Sequence, residues 1–280
     1  PGPSLTLTES TIFAGTDAKK GVPVQIESVR GVHEVVIYRI ENGSEVEALR
    51  ETKNGEHTLN YAPEIDFTEA TSKLKVVVSD GREGKEAIGY MKAYVNMDVA
   101  TLNVGSQPLA NNAHVKYPDA FGMVSLNDLK TYSVDYAIAN EVNAKNVDFK
   151  FYCLGAAGSP RLYSMDNTGK DGEFSGSTGK LSAIKVKNLT RFAILSNFDY
   201  ENATVASISS EILSSSIAQS LLDPIAVGNV IAFRTGGSSA AGGGRIGVMK
   251  VINITEPKEL VSNNATARVM TVEIKFPKKK

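Results

Sequence analysis

Between residues 4 and 95 the chain repeats one pattern, a short run of alternating apolar and polar residues followed by residues that turn the backbone sharply. Seven such runs are legible: Ser4 to Thr8, Val22 to Ser28, Val32 to Ile40, Val46 to Glu51, Glu56 to Tyr61, Lys73 to Ser79 and Ala87 to Val95. Val22, Val24 and Ile26 share a face, as do Val36, Tyr38 and Ile40, and Leu74, Val76 and Val78, which is the period-two signature of half-buried strands. Asn42-Gly43, Asn54-Gly55 and Asp80-Gly81 supply residues that tolerate the positive φ of tight hairpin turns. That density of short strands predicts an immunoglobulin-like β-sandwich over residues 1–97. The cysteine pair and tryptophan of antibody domains are missing, so the likeness is one of architecture.

The pattern loosens near Asn96 to Asp98, and a second domain is expected over residues 98–280. It reads as α+β and strand-rich, which makes the whole chain mainly β. Ser133 is placed to cap a helix over Val134 to Glu141, and a second helix is expected between Ser207 and Leu222, stopped by Asp223-Pro224. Strands are expected at Thr101 to Val104, Gly122 to Leu126, Val147 to Leu154, Ser182 to Lys187, Arg191 to Ser196 and Ala267 to Phe276. Another pair, Val230 to Thr235 and Arg245 to Ile254, flanks Gly236, Gly237, Gly242, Gly243 and Gly244. These glycines predict a mobile hairpin loop.

Composition narrows function by exclusion. With 280 residues and 42% hydrophobic residues the chain is long enough to bury cores, and a formal net charge of -1 gives no basic footprint for nucleic acid. No apolar run approaches the ~20 residues of a membrane helix. The start at Pro1-Gly2-Pro3 has the look of a processed or trimmed product. Cys153 is the single cysteine, and its place in the apolar Val147 to Leu154 run predicts a buried structural thiol.

The familiar catalytic patterns fail on inspection. Gly242, Gly244 and Gly247 fit G-x-G-x-x-G, but the strand-like Val248 to Ile252 replaces the helix whose amides would hold a pyrophosphate. Gly176-Ser177-Thr178-Gly179-Lys180 resembles the end of a P-loop, yet Leu181 stands where the metal-binding hydroxyl belongs. Gly155-Ala156-Ala157-Gly158-Ser159 lacks a nucleophile between flanking glycines. His33, His57 and His114 are isolated, without zinc-ligand spacing, and His33 and His57 read as surface or edge histidines. A hydrolase would need paired carboxylates, and sequence alone does not pair them.

One loop concentrates oxygen donors: Asp166-Asn167-Thr168-Gly169-Lys170-Asp171-Gly172-Glu173. Asp166, Asp171 and Glu173 are the carboxylates that could wrap a calcium ion at about 2.4 Å; no other cofactor is expected, and a solvated turn-rich loop is the alternative. Beside it, Arg161 offers a hydrogen-bond fork and Tyr163 a ring, so Arg161, Tyr163, Asp166 and Asn167 form the expected ligand-binding set. No tryptophan is present to serve as a sugar platform, although ten tyrosines could substitute.

Three segments carry a family resemblance: Val227-Gly228-Asn229-Val230-Ile231-Ala232-Phe233-Arg234-Thr235, Gly244-Arg245-Ile246-Gly247-Val248-Met249-Lys250-Val251, and Thr271-Val272-Glu273-Ile274-Lys275. Together with Val76 to Gly81, Tyr132-Ser133-Val134-Asp135-Tyr136-Ala137 and Val147-Asp148-Phe149, they resemble Bacteroidetes cell-surface lipoproteins. The resemblance implies an N-terminal immunoglobulin-like module, export to the outer-membrane surface, and membrane contact only through a lipid anchor upstream of Pro1. It also implies a non-catalytic role in glycan capture, with a polysaccharide as partner. The alternative is a structural or adhesive component that binds a surface protein through an open strand edge. The resemblance supplies no catalytic residues.

Overall fold

The computed structural model describes residues 1–112, 115–154, 158–256 and 267–280, and its architecture is mainly β with several sheets. The chain forms two compact units, residues 1–97 with 201–210, and residues 98–200 with 211–280. The excursion of 201–210 back to the first unit has no counterpart in the sequence reading.

In the first unit, β1 (Ser4–Thr6), β4 (Val24–Glu27) and β7 (Thr58–Tyr61) form one sheet in the order β1-β4-β7. Facing it is a sheet of β2 (Thr11–Ala14), β5 (Glu34–Glu41), β6 (Ser44–Thr52), β9 (Thr71–Ser79) and β10 (Glu86–Val95), in the order β2-β10-β9-β5-β6. A small ribbon pairs β3 (Lys20–Gly21) with β8 (Glu64–Ile65). Val24 and Ile26 of the first sheet meet Val35, Ile37, Leu74, Val76, Val78 and Met91 of the second in one core. Each such side chain contributes about 1.5–3 kcal/mol by leaving water, and the strict alternation along β9 is what points them all inward.

All seven anticipated strands form here, while β2, β3 and β8 were not anticipated. Asn42 and Gly43 both hold positive φ, 52° and 79°, and close β5 onto β6 as the two-residue hairpin their types require. Asn54-Gly55 behaves differently. It follows β6 but leads to β7, which pairs with β4 in the other sheet, so this turn is a crossover and not a hairpin.

Helix α3 (Val205–Glu211) lies largely in the returning segment, where the Ala206 amide donates to the Glu69 carbonyl. The helix expected over Ser207 to Leu222 is therefore corrected. It ends at Glu211, a 3-10 turn covers Ser214–Ser216, and Leu221–Leu222 are a strand. Ile208, Ile212 and Ile217 are buried as the spacing suggests, but three consecutive serines compete for backbone hydrogen bonds and break the helix, the Ser216 hydroxyl donating to the Leu213 carbonyl.

The second unit stacks two five-stranded antiparallel sheets. One orders β11 (Met97–Gly105), β20 (Val269–Pro277), β19 (Ile246–Ile254), β18 (Val230–Arg234) and β16 (Arg191–Leu195) side by side. The other orders β13 (Lys130–Tyr132), β12 (Met123–Ser125), β14 (Phe149–Cys153), β15 (Pro160–Ser164) and β17 (Leu221–Leu222). Phe149, Phe151, Leu162, Phe192, Ile231, Phe233, Met249, Val272 and Ile274 fill the space between them. On the outer face of the second sheet, α1 (Val134–Ala139) and α2 (Glu141–Lys145) pack Val134, Ala137 and Ala144 against Tyr152, Tyr163 and Phe174. Strand β14 is consequently buried on both faces.

Two expectations fail in this unit. Ser182 to Lys187 is not a strand, because Leu181–Ala183 turn as a 3-10 helix whose Leu181 carbonyl accepts from the Ile184 amide. The glycine-rich stretch after β18 is not a loose loop either. The Thr235 hydroxyl donates to Gly242, the Arg245 guanidinium reaches the Ala241 and Pro277 carbonyls, and Ser239 and Ala241 are buried.

Candidate functional site

The residues singled out in the sequence are brought close together but are already occupied with one another. Asp166 receives a bidentate fork from Arg191, at 2.9 and 3.0 Å, and the Ser164 hydroxyl at 2.5 Å. Burial would raise the Asp166 carboxyl, but the hydrogen bonds from Arg191 and Ser164 outweigh it and hold the group below its usual range. Asp171 accepts from the buried Lys150 ammonium at 2.5 Å, and Glu173 accepts from the Tyr152 hydroxyl at 3.0 Å. The Asn167 amide donates to Ser220, while its carbonyl accepts from Lys150.

Three carboxylates with three different partners do not converge. Among the described residues no group of three or more His, Cys, Asp or Glu side chains stands at metal-holding separation. Tyr163 is 4% exposed and sits edge-on to Tyr152, with its hydroxyl accepting from Arg161 at 3.1 Å. Arg161 in turn pairs with Asp223 at 3.0 Å. This set knits β14, β15 and the following loop into the outer layer of the sheet and leaves no ring face open to a ligand.

His57 turns its Nδ1 to the Ser28 carbonyl and His33 is exposed; His114 and the glycine-alanine run 155–157 lie outside the described residues. Cys153 is fully buried, and burial raises its thiol above the ordinary range.

A cavity of about 530 Å3 opens elsewhere in the second unit, lined by residues of two edge strands. Thr101, Leu102 and Asn103 come from β11, and Lys130, Thr131 and Tyr132 from β13, with Asp119 and Phe121 also in the lining. Ser133 then caps α1 by accepting from the Tyr136 amide at 3.1 Å. That cap turns the chain from strand to helix within one residue and brings Tyr136 back over Tyr132. Their rings stack with centroids 3.9 Å apart and planes within 14°, and both remain partly exposed on the cavity wall.

The pair is fixed from behind. The Tyr132 hydroxyl donates to Asp128, and the Asn146 amide donates to Asp128 at 2.7 Å and to the Tyr136 hydroxyl at 3.0 Å. Burial pushes the Tyr132 phenol up, reinforced by the hydrogen bond to Asp128. Burial would also raise Asp128, but donation from Tyr132, Asn146 and Asn127 prevails and keeps its carboxyl below the ordinary range, as the anion. Lys130 lies 4.9 Å from the centre of the Tyr132 ring. The cleft therefore offers a rigid aromatic wall with hydroxyl, amide, ammonium and carboxylate groups around it. These tyrosines lay in a motif quoted from the sequence, but nothing in their spacing told of stacking.

No protein-family model matches the chain, and no curated protein matches it in sequence. No described helix is long and apolar enough to cross a membrane.

Proposed function

We propose that the protein is a non-catalytic binding protein that captures a glycan in the Tyr132–Tyr136 cleft. The observation that carries this reading is the stacked, back-braced tyrosine pair on the wall of a cavity of ligand size, about 530 Å3. Sugar rings present apolar C–H faces flanked by hydroxyls, so an aromatic wall with polar groups at its margin matches their chemistry. Asp119 is the one carboxylate among the residues lining the cleft, whereas glycoside hydrolysis ordinarily uses two flanking carboxyl groups.

On this reading the first unit is an immunoglobulin-like spacer, supported by its facing β1-β4-β7 and β2-β10-β9-β5-β6 sheets. The protein would work at the bacterial outer-membrane surface, exported and held by a lipid anchor upstream of Pro1, as the resemblance to Bacteroidetes lipoproteins implies. The test is binding to an array of soluble polysaccharides. Binding to one class, weakened about fivefold or more by Tyr132→Ala, supports glycan capture, since a stacked ring contributes on the order of 1 kcal/mol. A blank array, or binding indifferent to Tyr132→Ala and Tyr136→Ala, overturns it.

A further inference from the structure

Strand β16 ends its sheet, and one rung of its outer edge is left open. Phe192 exchanges both backbone hydrogen bonds with Gln219, at 2.8 and 3.0 Å, on the side away from β18. In an antiparallel ladder the bonding direction alternates along the strand. Ile194, two residues on, therefore also points its N–H and C=O away from β18, which it faces at Ile231. Continuing the Gln219 register would place Ile217 opposite Ile194, but the Ile217 amide is turned to the Ser214 carbonyl in the 3-10 turn. Among the described residues nothing takes that rung.

What borders it is a cavity of about 560 Å3, lined by residues 193–198 together with Glu211, Ile212 and Ser216. The Ile194 side chain lies on the same sheet face as Phe192, Ile231 and Phe233, the face that builds the core, yet it is 47% exposed where they are fully buried. The core is thus unfinished at this corner, on its backbone and on its side chains alike.

We propose that β16 receives an extended peptide segment of a partner protein, which pairs with Ile194 and seats an apolar side chain against Ile194, Ile212 and Phe198. Unpaired strand amides and carbonyls at ladder spacing recognise another polypeptide main chain, the mode of β-strand addition. Glu211 is exposed at the cavity, with no cation paired to it among the described residues, and it selects a segment carrying a basic residue beside its apolar ones.

The test is selection of a displayed library of random seven-residue peptides on the whole chain, followed by anisotropy with the enriched peptides. Enrichment of alternating apolar sequences containing Lys or Arg is expected. N-methylation of one alternate set of peptide amides should weaken binding more than tenfold, and methylation of the other set far less. Ile194→Lys should abolish binding without moving the thermal midpoint by more than a few degrees, and Glu211→Lys should switch selection to acidic peptides. Failure to enrich alternating peptides, or binding indifferent to N-methylation, overturns the proposal. So does a concentration-dependent dimer of the protein that Ile194→Lys disperses, because the occupant is then a second copy.

Discussion

The Ser239 hydroxyl donates to Oδ1 of Asp148 at 2.6 Å, and so ties the glycine-rich stretch of one sheet to a carboxyl buried beneath the other. The Leu126 amide holds the second oxygen at 2.7 Å, and the Asn188 amide stands 3.4 Å from the first. These donors only partly offset burial, which pushes Asp148 up to about 6. A carboxyl whose folded pKa is raised takes up protons on folding in the window between its unfolded and folded values. Its favourable contribution is present at low pH and is lost as pH rises through about 6, at a cost of roughly 3 kcal/mol. Carbon-detected NMR of the side-chain carboxyls should place the Asp148 midpoint near 6, and a midpoint near 4 contradicts this account.

Removing the Ser239 donor tests the same linkage from the other side. Ser239→Ala should raise the Asp148 midpoint further and lower stability by about 2 kcal/mol at pH 7.5, where the carboxylate is charged. Near pH 4 the loss should be smaller. Equal losses at both pH values in chemical denaturation would show that the hydroxyl serves packing alone.

Lys150 and Asp171 form an ion pair at 2.5 Å, their side chains 0% and 3% exposed. Burial lowers the Lys150 ammonium, against the opposing pull of Asp171. Lys150→Met strands Asp171 in the interior and should cost about 3–5 kcal/mol. Asp171→Leu combined with Lys150→Met should recover most of that loss, since the charge is then gone from both sides. Urea unfolding of the four chains measures the coupling, and additive losses would refute it.

Gly247 leaves room for two rings. A Cβ there would stand 2.3 Å from Cζ of Phe233 and 2.9 Å from Cδ1 of Phe276, whose rings meet edge to face at 5.0 Å. Gly247→Ala should therefore destabilise by about 1–3 kcal/mol, against the small gain alanine ordinarily brings to a strand. Thermal melting decides the sign.

In the cleft, Tyr132→Phe keeps the stacked ring and loses the hydroxyl that reaches Asp128. Glycan binding should then fall far less than in Tyr132→Ala, and isothermal titration separates the two. Parallel effects would mean that the hydroxyl network, and not the ring face, carries recognition.

The strands were legible wherever one face alone meets the core, as along β9 or in the Met270, Val272, Ile274 and Phe276 face of β20. Helical spacing misled at Ile212 and Ile217, which are buried for tertiary reasons with no helix joining them. The partners of the acids in the 166–173 loop were hidden for a similar cause. Arg191, Lys150 and Tyr152 lie between 21 and 25 positions away from the acids they engage, and no local window shows such partners arriving. The tyrosine cleft depends on the turn set by Ser133 and on Asp128 and Asn146 behind it. A sequence displays those residues without displaying their convergence.

Residues 201–210 complete the first unit although more than a hundred residues separate them from its last strand. On a ribosome the N-terminal sheets emerge long before the segment that donates the Ala206 amide to Glu69. The unit waits in part-built form while most of its neighbour is translated. A chain cut at residue 97 lacks the 201–210 segment, and a pair of halves split there carries that piece on the far side of the cut.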